Sequence, residues 1–215
     1  MTENQQFIEV QAGVRIELIS VAWMVIEMGV SIAAGILARS VLLTAFGIDS
    51  LIELASGGVL LWRLTVEARG GDTAKVERAE HRASWIVSIL LALLCVYVLT
   101  SALDGLVARS KPEASTIGLA ISVAALVIMP YLARVKRSVA TRIQSAALAG
   151  DAVNSITCAY MAGTVLLGLA LNRLLGWWWA DDVAALLFLV WLARETLESF
   201  EEVRRDTVEQ DGLHE

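Results

Sequence analysis

The chain has 215 residues, of which 57% are hydrophobic and 19% charged, below the ~25% charged residues of an ordinary soluble domain. That balance excludes a disordered chain and argues against a water-soluble fold, because six spans of about 20 apolar residues would fill it almost completely. A formal charge of −6 speaks against nucleic acid as a partner.

In chain order, residues 1–13 are polar and carry Glu3 and Glu9. They lack the basic start and apolar stretch of a cleaved signal peptide, so the first span is expected to stay in place. Membrane helices are expected over residues 16–37, 41–64, 83–107, 117–133, 146–171 and 177–193. Spans one and two are joined only by residues 38–40 and form a tight hairpin. Gly70-Gly71-Asp72 marks a polar loop, and Lys111-Pro112-Glu113 a turn. Trp177, Trp178 and Trp179 precede the sixth span, and Trp favours the headgroup level. Residues 195–215 are polar and read as a helical extension with a frayed tail. Cys95 and Cys158 lie inside apolar runs, so no disulfide framework is expected.

The expected fold class is therefore all-α: a polytopic membrane protein of six helices. Residues 1–13 form an N-terminal segment, 14–203 the transmembrane domain and 204–215 a short tail, with no soluble C-terminal domain. With the termini inside, thirteen of the 17 Lys and Arg fall on the inner side and four outside. The positive-inside rule then places both termini in the cytoplasm, in the inner (plasma) membrane.

Several ionisable residues fall at membrane depth, where a carboxylate costs roughly 2.5–3.5 kcal/mol on insertion scales. Glu27 is mid-way along span one. Asp49 and Glu53 share one face of span two, four residues apart. Asp151, Asn154 and Cys158 follow one another at helical spacing on span five, and Asp104 sits near the outer end of span three. Antiparallel packing of spans two and five sets Asp49 level with Cys158 and Glu53 level with Asn154, with Asp151 one turn further in. Oxygen and sulfur ligands on two facing helices suit a divalent cation. Protons compete for the same carboxylates, which is the chemistry of an antiporter. Each feature has a plainer reading: Asp49 and Glu53 as a packing pair, Asn154 as interhelical glue, Cys158 as a small buried hydrophobe, Asp104 as a solvated interfacial acid. His81, alone in a basic loop, is a weak metal signal.

The stretch from Ala45 through Phe46, Gly47, Ile48 and Asp49 to Glu53 resembles the second-span motif of the cation diffusion facilitator family. Ala149-Gly150-Asp151 through Asn154 to Cys158 resembles its fifth-span motif, and Leu175 through Trp177 to Asp181 its approach to span six. The similarity covers roughly residues 14 to 200. Asn154 stands where most members have His or Asp, and Cys158 where they have Asp. The family's cytoplasmic dimerising domain and the His-rich loop of many zinc-exporting relatives are not expected here. The chain looks like a short branch, similar to the transmembrane protein 163 type and short bacterial cation transporters. The resemblance implies a transporter and no enzyme, with a divalent metal as substrate: zinc first, then Fe, Mn or Co. It would exchange that metal for protons by alternating access, as a homodimer. The implied metal site is Asp49, Glu53, Asn154, Cys158 and Asp151, with Glu27 in proton coupling. The alternatives are a metal-binding membrane partner or sensor that does not transport, and an exporter of organic cations. Few aromatics fall near Asp49 and Glu53 to form a cage for the latter.

Overall fold

The computed structural model describes residues 3–68, 74–109, 112–113, 115–143 and 145–212. The expected loop at Gly70 to Asp72, Lys111 and the side chain of His81 lie outside the described residues. Among the described residues six helices follow one another: α1 (Glu3–Ala38), α2 (Val41–Ala68), α3 (Ala74–Ala108), α4 (Thr116–Ile143), α5 (Ala146–Leu175) and α6 (Ala180–Gly212). No strand occurs among the described residues. Among the described residues, five helices are long and apolar enough to cross a membrane. The protein is therefore an all-helical, polytopic membrane protein.

The sixth helix departs from the expectation of an apolar span. Its apolar stretch, residues 183–193, is closely bracketed by Asp181, Asp182, Arg194 and Glu195. Asp181 and Asp182 are buried and Glu195 is half-buried. The helix therefore carries acids into the bundle.

Local chemistry sets the helix ends. The α1–α2 link turns on Arg39, whose φ of 54° is left-handed. Ser40 opens α2, its Oγ accepting from Leu43 N at 3.1 Å. That hydroxyl donates in turn to Asp181 Oδ1 at 2.6 Å, while Asp181 Oδ2 accepts from Leu42 N at 3.3 Å. Asp181 thus caps α2 from the start of α6, which places a carboxylate at a helix N-terminus, where the dipole favours it. Ser145 caps α5, and Gly176, at φ 66°, ends it in the left-handed turn that favours glycine. Helix α5 therefore runs past the expected end at 171. Trp177 and Trp179 stack beside that turn, ring centroids 5.0 Å apart, and α6 starts after them.

Helix α1 packs on α2 and α4, α4 on α5, and α3 on α6, with α2 against α3, α5 and α6. Neighbours in sequence run antiparallel, so α1 begins and α6 finishes at the same end of the bundle. That end is here the terminal end. Very close approach fixes the α1–α2 hairpin: a Cβ on Gly47 would stand 2.7 Å from Ile32 N, and one on Gly35 would stand 2.6 Å from Thr44 N. The core around Phe46, Met129, Met161 and Phe188 is fully buried, whereas Leu37, Val107, Val127, Leu167 and Val190 face outward. Large apolar side chains on the outside and polar ones inside are the pattern of a protein solvated by lipid.

One basic residue departs from the expected arrangement. Span four was expected to end at 133, leaving Lys136 in an inner loop. Helix α4 instead continues to Ile143, and Lys136 is fully buried within the bundle. It pairs with acids there and adds nothing to the surface charge of that side.

Candidate cation site

The acidic residues expected on α2 lie side by side in the interior. Asp49 is fully buried and Glu53 is 4% exposed. Their spacing of four puts both on one face of α2. Asn154 of α5 donates from Nδ2 to Glu53 Oε1 at 3.1 Å. The expected register of Glu53 against Asn154 is therefore the register observed.

Cys158 is fully buried. Its Sγ donates to Glu27 Oε1 at 3.4 Å, so Glu27 of α1 shares the centre with the thiol. Ser50 Oγ donates to the same Glu27 oxygen at 3.0 Å, and Trp23 Nε1 donates to Oε2. Both Asp49 and Glu53 feel the charges of Glu27 and Glu195. Three helices therefore bring carboxyl groups near one another in the interior: Glu27 from α1, Asp49 and Glu53 from α2, and Glu195 from α6. Sequence reasoning missed Glu195 because it stands at the junction of the apolar run and the polar tail. Ser50, the residue after Asp49, was missed because its role appears only once α1 is set against α2.

The hydrogen-bond inventory of this cluster is incomplete. Both oxygens of Asp49, Glu53 Oε2 and Glu195 Oε2 are buried and have no hydrogen-bond partner. Unpaired buried polar atoms are rare and ask for an explanation. The unpartnered atoms of this cluster are all acceptors, which a cation, protons or water can satisfy. Among the described residues, no three His, Cys, Asp or Glu side chains are drawn into a closed metal-binding group.

Asp151 is not at this centre. Lys136 donates to Asp151 Oδ2 and also lies 3.2 Å from Glu17 Oε2, an ion-paired group nearer the terminal end. Asp104 is exposed, as an interfacial acid would be.

Comparison with known proteins agrees with this geometry. Residues 18–206 match the cation efflux transmembrane domain. An uncharacterized transporter of Synechocystis sp. is 25% identical over 192 residues, covering 85% of this chain and 62% of that protein. Transmembrane protein 163 of Xenopus laevis is 25% identical over 57% of this chain and 42% of its own length. The cation-efflux pump FieF of Shewanella oneidensis is 27% identical over 41% of this chain and 30% of its own length. The matches thus span less than two thirds of each relative. With the domain match running through α1 to α6 and taking in every acid of the buried cluster, the chain belongs to the cation efflux family.

Proposed function

We propose that the chain exports a divalent transition-metal cation, zinc first, in exchange for protons. The observation that carries this reading is the set of buried, unpartnered carboxylate oxygens on Asp49 and Glu53. They supply negative charge where lipid and protein exclude water, and a cation is what such a site lacks. Asp49 and Glu53 bind the metal and, in its absence, the counter-protons. Asn154 contributes its amide oxygen after releasing Glu53, and Cys158 contributes a thiolate. Glu27 holds the proton of that thiol and relays it. Asp151 serves the path toward the terminal end.

A thiolate among oxygens suits zinc, whereas the oxygens alone also suit Mn and Fe(II). The helices rock around this fixed centre to expose it to each side in turn. With the termini cytoplasmic, export of two charges against 100 mV costs about 4.6 kcal/mol, at ~2.3 per charge, and inward protons offset that. The relatives named as a cation-efflux pump and a transporter support the direction of the reading. Assembly as a homodimer in the plasma membrane belongs to the same proposal.

Zinc flux into proteoliposomes tests it. Wild-type protein is expected to carry zinc, and Asp49→Asn with Glu53→Gln to carry none while remaining folded. Zinc binding without flux in the wild type would instead identify a non-transporting metal-binding protein.

A further inference from the structure

The Glu17, Lys136 and Asp151 group is built from three helices and has no part in the central cluster. Glu17 and Lys136 are both fully buried. A buried lysine is rare and needs paired charge around it. Here the ammonium bonds Asp151 and stands 3.2 Å from Glu17 Oε2. Neither Glu17 oxygen has an aligned hydrogen bond, and the hydroxyl of Ser20, one turn along the same face of α1, is also buried and unpartnered. The group therefore has more acceptors than its one lysine satisfies.

Its position follows from two helices independently. Along α2, a Cβ on Gly57 would meet Glu17 Oε1 at 3.0 Å, and Gly57 is one turn beyond Glu53. Along α5, Asp151 precedes Asn154 by one turn, and Asn154 holds Glu53. Acids thus stand at adjacent levels of the bundle interior, at the centre and one turn toward the terminal end.

We infer that Glu17 and Asp151 form a second binding station for a divalent cation, which the Lys136 ammonium fills as a tethered stand-in when no metal is there. The inference rests on the cation path proposed above. Charge favours the exchange. One ammonium neutralises only one of two carboxylates, whereas a divalent ion neutralises both and the released ammonium snorkels to water at the terminal end. The two carboxylates and the Ser20 hydroxyl form an all-oxygen set, which suits a harder ion than the thiol-bearing centre does. Pro130 lies within α4 six residues before Lys136. It removes a backbone donor and loosens the helix there, so the segment carrying Lys136 can swing aside.

Removing the tether tests the station without asking for transport. The full-length chain carrying Asp49→Asn and Glu53→Gln lacks the two carboxylates of the central site and is the background for the test. Manganese alone is the probe, with free Mn(II) read by electron paramagnetic resonance. Adding Lys136→Met is expected to create about one Mn(II) site per chain, because two bare carboxylates suit a hard cation. Lys136→Arg, which keeps the charge, should create none. Further change of Glu17→Gln and Asp151→Asn should abolish the new site. Folded Lys136→Met protein that binds no manganese would overturn the inference, as would binding that survives neutralisation of Glu17 and Asp151. Should the methionine variant not fold, Lys136→Gln is read in the same way. Failure of zinc flux in the wild type would not alter this result, so the two proposals fail separately.

Discussion

Asp49 and Glu53 hold three buried oxygens without a partner, a group that on the proposed function weakens the metal-free fold and strengthens cation binding. An unsatisfied buried polar group costs roughly 1–3 kcal/mol. Asp49→Asn removes the charge and keeps the shape. It is expected to abolish zinc binding and yet raise the melting temperature of the metal-free protein, by about 2–4 °C for each kcal/mol recovered. Isothermal titration and thermal unfolding in one detergent check the pair; lost binding together with lost stability would mean a packing role. Cys158 permits a finer test, since its thiol is fully buried and reaches Glu27. Cys158→Ala should weaken zinc about tenfold, or ~1.4 kcal/mol, and manganese much less. Cys158→Asp should shift preference toward manganese, because the site is then all oxygen. An unchanged zinc-to-manganese ratio in both variants would make Cys158 a core residue.

Five helices were legible because their apolar runs are long enough to span a membrane, whereas α6 carries only residues 183–193 between charged residues; the α2–α5 register was legible because acids and amides recur at helical spacing. Glu53 against Asn154 follows from that pattern alone. The partners of Glu27 do not, since Cys158 and Ser50 reach it from two different helices. Lys136 was misread because a lysine beyond an apolar run looks like a loop charge; its burial depends on α4 continuing to Ile143. Glu17 carried a usable signal, since Glu17, Ser20 and Glu27 form one stripe along α1. The α1–α2 hairpin rests on small residues, and two of its glycines predict opposite outcomes. Gly47→Ala would drive a Cβ onto the Ile32 backbone and should destabilise by roughly 1–3 kcal/mol, as overpacking does. Gly58→Ala meets nothing within 4 Å and should stabilise by roughly 0.5–1 kcal/mol through helix propensity. Thermal unfolding of both variants checks the contrast. Equal effects would show that close α1–α2 contact does not set the fold.

For the molecule as a whole, the proposed function has one interior serve metal and protons in turn. Metal ligands must be deprotonated to bind, so lowering the pH protonates the carboxylates and drives the metal off. Zinc affinity is expected to fall steeply from roughly pH 7 to pH 5, by titration calorimetry; constant affinity would remove protons from the cycle. The outward faces carry Leu, Val and Ile, while unpartnered acids of α1, α2 and α6 lie inside the bundle. Simultaneous measurement of zinc and protons tests their exchange most directly. Proteoliposomes loaded with a pH-sensitive dye are given external zinc, and zinc entry is followed beside internal pH. Zinc entering while the interior turns alkaline, with both signals lost in Asp49→Asn and Glu53→Gln, is the expected result. Zinc entry with no proton movement, or entry that survives the paired substitution, would contradict it.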